Sequence, residues 1–221
     1  MLCLTEPTDP AWVHAALAKL DDVLVDHAHC EMKAASNALS LAGRHSRDIE
    51  LVLALTALAR EEIDHFERVV GFLRERGLGL GTPPVDTYAL ELRKVGNEHA
   101  KQSAISAREG GLVTRLLVGA IIEARSCERF RLLVDALEAR RVSPSASLRS
   151  GNDARDAELL AFYKELFACE ARHFRVYVDL ATRAAGGDRE RVERELEVLA
   201  DREGRIVREL ESAASRATVH G

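Results

Sequence analysis

Two Glu-x-x-His motifs contain the residue types that bind metal ions in helical proteins. Glu62 and His65 form the first motif, and Glu170 and His173 form the second. A spacing of three residues places both side chains on the same face of an α-helix. The carboxylate of such a pair can bridge two metal ions while the imidazole binds one of them. Because roughly one such motif is expected by chance in a chain this rich in Glu and His, the positions of the motifs decide whether they are significant.

Both motifs lie in the middle of apolar stripes with helical spacing. The second motif, for example, lies between Leu166 and Leu180 on such a stripe. Two further stripes carry a single glutamate at the corresponding central position, and these are Glu31 and Glu123. Each stripe is apolar at its ends and polar at its centre. The pattern predicts four helices that bring these polar residues into one layer of an otherwise apolar core.

Four carboxylates in one buried layer would repel one another and resist ionisation unless cations neutralise them. Two divalent cations would cancel the four negative charges, and neutral imidazoles would complete the ligand set. Four glutamates with two histidines are typical of carboxylate-bridged di-iron and di-manganese proteins, whereas structural zinc sites favour other ligands. We therefore predict two iron ions, with manganese as the alternative, and no catalytic residue beyond the ligands. The alternative is a purely structural layer of hydrogen-bonded Glu and His. The predicted ligands are Glu31, Glu62, His65, Glu123, Glu170 and His173.

Long helices are needed to position these ligands. We predict an all-α chain that forms one domain over 1–221, with a short helix at about 87–99. The links between the first two and the last two core helices are short, whereas the middle link is long. One long crossover between two helical hairpins is the topology of a ferritin-like four-helix bundle. The core helices are predicted over about 9–43, 46–77, 111–141 and 153–185, and an extra C-terminal helix over about 188–215.

Composition and cysteine usage restrict the cellular compartment and the kinds of partner that the protein can have. The four cysteines form no Cys-x-x-Cys pair, so we expect no disulfide framework and a reducing, cytoplasmic compartment. We expect no signal peptide, and no apolar run approaches the ~20 residues needed to cross a membrane. The formal net charge is −5. Any contact with nucleic acid must therefore use a local basic surface.

The sequence allows two interpretations of several polar or small residues near the predicted ligands. His27 could hydrogen-bond to a ligand or be an ordinary core histidine. Gly119 could leave room for dioxygen or substrate, or permit close helix packing. We expect Arg125 and Glu128 to form ion pairs rather than to bind metal. Six arginines could form either a basic patch or an ordinary solvated face. They are Arg140, Arg141, Arg149, Arg172, Arg175 and Arg183.

Four segments of this sequence resemble one enzyme family. The similarity extends over about 5–185 and is strongest at 26–36, 58–67, 122–130 and 170–174, which contain all six predicted ligands. These segments resemble the tRNA 2-methylthio-isopentenyladenosine hydroxylases, the MiaE family. The resemblance implies a ferritin-like non-haem di-iron monooxygenase that hydroxylates the isopentenyl group of a modified adenosine next to the anticodon. It also implies three partners, namely the tRNA anticodon loop, dioxygen and an electron donor that the sequence does not identify. The lack of a long apolar run argues for no membrane partner.

Two other functions share these ligands and stay open at this point. One is the oxidation of iron or the reduction of peroxide, as in ferritin and rubrerythrin. The chain has no Cys-x-x-Cys pairs for a rubredoxin-type iron and no obvious seventh carboxylate ligand, which argues against that function. The other is a di-iron oxygenase of a small molecule. A bundle with a purely structural or interaction role would not need six metal-type ligands in one layer.

Overall fold

The computed structural model describes residues 2–83, 85–103, 109, 111–142 and 153–213. This part of the chain contains helices and no strands, so the all-α prediction is confirmed. None of the helices described there is both long and apolar enough to cross a membrane. The helices are α1 (Pro10–Ala18), α2 (Leu20–Arg44), α3 (Ile49–Glu75), α4 (Thr87–Gln102), α5 (Leu112–Val142), α6 (Asp153–Ala184) and α7 (Arg189–Ala213).

Local sequence signals fix several helix boundaries. The Asp48 carboxylate accepts a hydrogen bond from the backbone N–H of Leu51 at the start of α3, and Asp86 caps α4 in the same way. After α6, Gly187 has a φ of 90°, and its N–H donates to the carbonyl of Thr182. A glycine accepts this left-handed conformation without the steric cost that other residues incur.

The first predicted helix consists of two helices, α1 and α2. The chain breaks at Lys19, where φ is −125° and ψ is 42°, and no side chain caps the start of α2. The two helices pack differently, since α1 contacts α5 while α2 packs mainly on α3. Trp12 on α1, for example, lies 5.0 Å from the guanidinium of Arg129 on α5. Neither glycine nor proline marks this break, so the sequence pattern did not reveal it.

Two helical hairpins form the bundle. The α2–α3 hairpin and the α5–α6 hairpin each pack along their length, and the hairpins meet where α3 contacts α6. The buried apolar residues form two separate clusters. One contains Leu55, Leu116 and Leu180, and the other contains Leu24, Val69 and Phe162. The predicted metal layer comes between their positions along the helices, as the polar centres of the stripes indicated.

Helices α4 and α7 pack outside the hairpins, mainly on each other and on α5. Many charged residues of α7 are exposed, but Glu203 is fully buried. Both of its carboxylate oxygens accept hydrogen bonds from the equally buried guanidinium of Arg125, at 2.8 and 2.9 Å. The hydroxyl of Tyr88 on α4 also donates to Glu203, at 3.0 Å. This buried ion pair joins α4, α5 and α7, and Glu128 completes it with the expected ion pair to Arg125.

Candidate metal centre

The six predicted ligand residues come together in the centre of the bundle. Candidate donor atoms of four of them lie within 4.8 Å of one another, and a second group of four meets the same limit. The two groups share Glu62 and Glu170. The first adds Glu31 and His65, and the second adds Glu123 and His173. This arrangement suits two adjacent cations that share two carboxylates.

Both histidines present their Nδ1 atoms to the carboxylates. Nδ1 of His65 lies 3.5 Å from Glu62 and 3.8 Å from Glu31. Nδ1 of His173 lies 2.8 Å from Glu62, 3.7 Å from Glu170 and 4.0 Å from Glu123. The Glu62 carboxylate therefore lies near both imidazoles.

Unsatisfied buried atoms test whether these residues fit a metal centre. Oε1 of Glu62 and the Nδ1 atoms of His65 and His173 are buried and make no hydrogen bond of suitable geometry within the described part of the chain, although Oε1 of Glu62 lies 2.8 Å from Nδ1 of His173. A buried polar atom without a partner costs about 1–3 kcal/mol, so three of them in one layer need an explanation. Carboxylate oxygens and imidazole nitrogens are donors that iron and manganese accept. The residues fit a pair of such ions.

The protonation tendencies of this layer show how strongly it attracts positive charge. Burial and the neighbouring Glu62 raise the pKa of Glu31 well above its usual range, and burial and Glu170 do the same to the pKa of Glu123. Burial alone would lower the pKa of His65, but Cys169, Glu31 and Glu62 outweigh it and raise that pKa to about 12. Without cations the layer therefore holds protons, and bound metal ions would replace them.

His27 is in contact with a predicted ligand rather than isolated in the core. Its Nε2 lies 2.6 Å from Oε1 of Glu31, and both side chains are buried. Burial lowers the pKa of His27 to about 4, so the ring is neutral and can donate one N–H to the carboxylate. Its ring stacks on Tyr163, with 5.6 Å between ring centroids, and also contacts Phe130. His27 therefore fixes the position of the Glu31 carboxylate.

Two residues that the sequence analysis did not single out contact His173. Oε2 of Glu61 lies 2.9 Å from Nε2 of His173, on the opposite side of the ring from Nδ1. Sγ of Cys169 lies 3.4 Å from the same nitrogen. Arg172 donates to Glu61 at 2.5 Å. Glu61 can thus hold the imidazole with Nδ1 facing the other ligands. The one feature of the sequence that could have pointed to Glu61 is its position directly before Glu62.

Gly119 allows a close contact beside the centre. A Cβ atom at this position would lie 2.9 Å from the ring of Tyr177, closer than real Cβ atoms approach other atoms. Close packing therefore explains the glycine. The same residue also lines a cavity, so the two readings of the sequence are compatible.

A cleft of about 910 Å³ reaches one of the predicted ligands, Glu123. Residues of α2, α4 and α5 line it, and its wall includes Glu123 and Tyr177. The buried and half-buried part of the wall contains small and apolar side chains, among them Ala34, Val118 and Ile122. The structure thus places an apolar channel of ligand size beside one of the predicted metal ligands.

Of the six arginines for which a basic patch and a solvated face were the alternatives, two are already paired with acidic residues. Arg172 is paired with Glu61. The guanidinium of Arg183 donates hydrogen bonds to both carboxylate oxygens of Asp48, at 2.6 Å each. The side chains of Arg141 and Arg149 lie outside the described part of the molecule. Arg140 and Arg175 are exposed.

Comparisons with known proteins agree on one family. Residues 1–218 match the family model described as "tRNA-(MS[2]IO[6]A)-hydroxylase (MiaE)". A protein from Pseudomonas putida named "tRNA 2-(methylsulfanyl)-N(6)-isopentenyladenosine(37) hydroxylase" is 39% identical over 175 residues, which are 79% of this chain and 73% of that protein. A protein of the same name from Salmonella typhimurium is 26% identical over an alignment covering 82% of this chain and 76% of that protein.

A solved structure supports the fold. The protein described as "Protein 43 with aldehyde deformylating oxygenase activity from Synechococcus" aligns with a TM-score of 0.78 and 33% sequence identity. The alignment covers 100% of this chain and 96% of that one. The predicted ferritin-like bundle is confirmed.

Proposed function

Because the chain belongs to the tRNA-(MS[2]IO[6]A)-hydroxylase (MiaE) family, we propose that it is a non-haem di-iron monooxygenase that acts on tRNA. Its substrate is the 2-methylthio-isopentenyladenosine next to the anticodon, and its product carries a hydroxyl on the isopentenyl group. Dioxygen supplies the oxygen atom, and a separate donor supplies two electrons. The free cysteines among the described residues suit a reducing compartment, and we place the enzyme in the cytoplasm.

The observation that carries this proposal is the cleft that reaches Glu123. A hydroxylase of a hydrocarbon group must bring an unreactive C–H bond to its metal centre while keeping bulk water away. The apolar wall formed by Ala34, Val118 and Ile122 suits a branched hydrocarbon such as an isopentenyl group. An iron-storage site takes up hydrated ferrous ions and would gain nothing from an apolar wall.

In this proposal two iron ions bind to the six predicted residues, with manganese as the alternative metal. Glu62 and Glu170 would help to hold both ions, since they belong to both groups of donor atoms. Glu31 and His65 complete one side, and Glu123 and His173 complete the other, giving the set Glu31, Glu62, His65, Glu123, Glu170 and His173. When bound, the two ions supply dioxygen activation, which no amino-acid side chain can perform.

The protein's own residues position the ligands and shape the channel. His27 holds the Glu31 carboxylate, and Glu61 holds the His173 imidazole. Gly119 lets the Tyr177 ring approach α5 beside Glu123. The adenine ring leaves the stack of the anticodon loop, which is the usual way that proteins reach a nucleobase in RNA.

Consumption of reductant by the iron-loaded protein tests this function against its alternatives. We expect turnover with tRNA that carries the isopentenyl group and none with the same tRNA lacking it, because only the former offers the C–H bond. Rapid oxidation of added ferrous iron or reduction of peroxide, without any dependence on tRNA, would instead identify an iron-handling protein. Turnover of a small hydrocarbon substrate with no response to either tRNA would identify a small-molecule oxygenase.

A further inference from the structure

The mouth of the cleft carries basic side chains that pair with no acidic residue in the described part of the chain. Its lining includes four cations that form no ion pair or side-chain hydrogen bond with another described residue: Arg44, Arg93, Lys101 and Arg115. A fifth, Lys33, is paired with Asp86 at 3.0 Å. In a chain with a net charge of −5, four unpaired cations around one opening form a local basic surface.

The chemistry of the cleft changes with depth. All four unpaired cations are exposed, and so is Asn97 near them. The half-buried part of the wall is apolar at Ala34, Val118 and Ile122 and also holds the paired Lys33 and Asp86, and the fully buried part includes Glu123. A ligand that fits this gradient carries negative charge outside and a hydrocarbon group inside. A nucleotide of an RNA strand with an isopentenyl group on its base has this distribution of charge.

We propose that Arg44, Arg93, Lys101 and Arg115 form the RNA-binding site, an inference that rests on the proposed function. Their side chains bind the phosphates next to the target adenosine while its isopentenyl group enters the apolar channel. The site lies on α2, α4 and α5, whereas the arginines of α6 that the sequence suggested are in part already paired with Glu61 and Asp48. Phosphate contacts position the strand, and the shape of the channel selects the modified base.

Binding of a synthetic anticodon stem-loop RNA tests this site. The double variant Arg93→Ala/Arg115→Ala removes two contacts from two different helices, and Arg175→Ala/Arg183→Ala on α6 is the matched control. We expect the cleft variant to raise Kd about tenfold or more at low salt and to reduce the salt dependence, log Kd against log salt concentration, by about two units of slope. RNA with and without the isopentenyl group should lose affinity equally, because phosphates carry no base identity.

Kinetic measurements on the same variants separate this inference from the proposed function. KM for the modified RNA should rise in the cleft variant, while kcat at saturating RNA and the iron content stay at wild-type values. Unchanged Kd and salt slope in the cleft variant would overturn the assignment of the RNA site, whatever the α6 variant shows. Absence of RNA hydroxylation by the wild-type protein would instead contradict the proposed function itself.

Discussion

Replacing Glu62 or Glu170 with alanine is expected to abolish turnover and to reduce bound iron from about two ions per chain. Each residue contributes to both groups of donor atoms, so one substitution disrupts both halves of the centre. Loss of a residue that merely supports a ligand already costs about 10–100-fold in metal affinity or activity, and loss of a bridging ligand should cost more. The fold should survive, because one carboxylate fewer relieves repulsion in the metal-free layer.

Elemental analysis, turnover and helical content together check this expectation. The matched controls are Glu67→Ala on α3 and Glu165→Ala on α6, whose side chains are exposed on the same helices. Both should keep wild-type iron content and turnover. A Glu62 or Glu170 variant with near-normal activity would show that the residue is not a bridging ligand.

The largest effect on stability is expected at the buried pair of Arg125 and Glu203. The substitution Glu203→Ala leaves the guanidinium without its bidentate partner, although both side chains are 0% exposed. Removing one member of such a pair costs about 3–5 kcal/mol in the free energy of unfolding. For a domain of this size the melting temperature should fall by roughly 10 °C.

The exposed pair of Arg68 and Glu165 provides the comparison. Its N–O distance is 2.6 Å, similar to that of the buried pair, but both side chains are more than a third exposed. Glu165→Ala should therefore change stability by no more than about 0.5 kcal/mol. Thermal unfolding followed by circular dichroism measures both variants. Equal melting temperatures for the two would mean that the buried pair does not hold α7 to the bundle.

The clustering of the six Glu and His side chains was predictable because helical periodicity is a local property. A residue three or four positions along a helix lies on the same face, so the phase of Glu31 or His65 relative to neighbouring leucines can be read directly from the chain. The structure brings all six predicted side chains together in two groups that share two glutamates. His27 was also identifiable, since it lies four residues before Glu31.

Contacts between distant parts of the chain were not predictable in this way. Glu203 belongs to a highly charged helix, and its burial depends on Arg125, which is 78 residues away in the sequence. Arg183 looked available for RNA, but its partner Asp48 is 135 residues away. The cleft likewise forms only where α4 packs against α5, so the sequence of no single segment predicts it.

Mass spectrometry of tRNA nucleosides tests the central claim most directly. The iron-loaded protein, a reductant and isotopically labelled dioxygen are incubated with tRNA carrying 2-methylthio-isopentenyladenosine, and the tRNA is then digested. We predict that this nucleoside gains one labelled oxygen atom on its isopentenyl group, and that Glu62→Ala protein leaves it unchanged. If 2-methylthio-isopentenyladenosine gains no oxygen while the same preparation rapidly oxidises ferrous iron or reduces peroxide, the claim is contradicted and the protein is an iron-handling one.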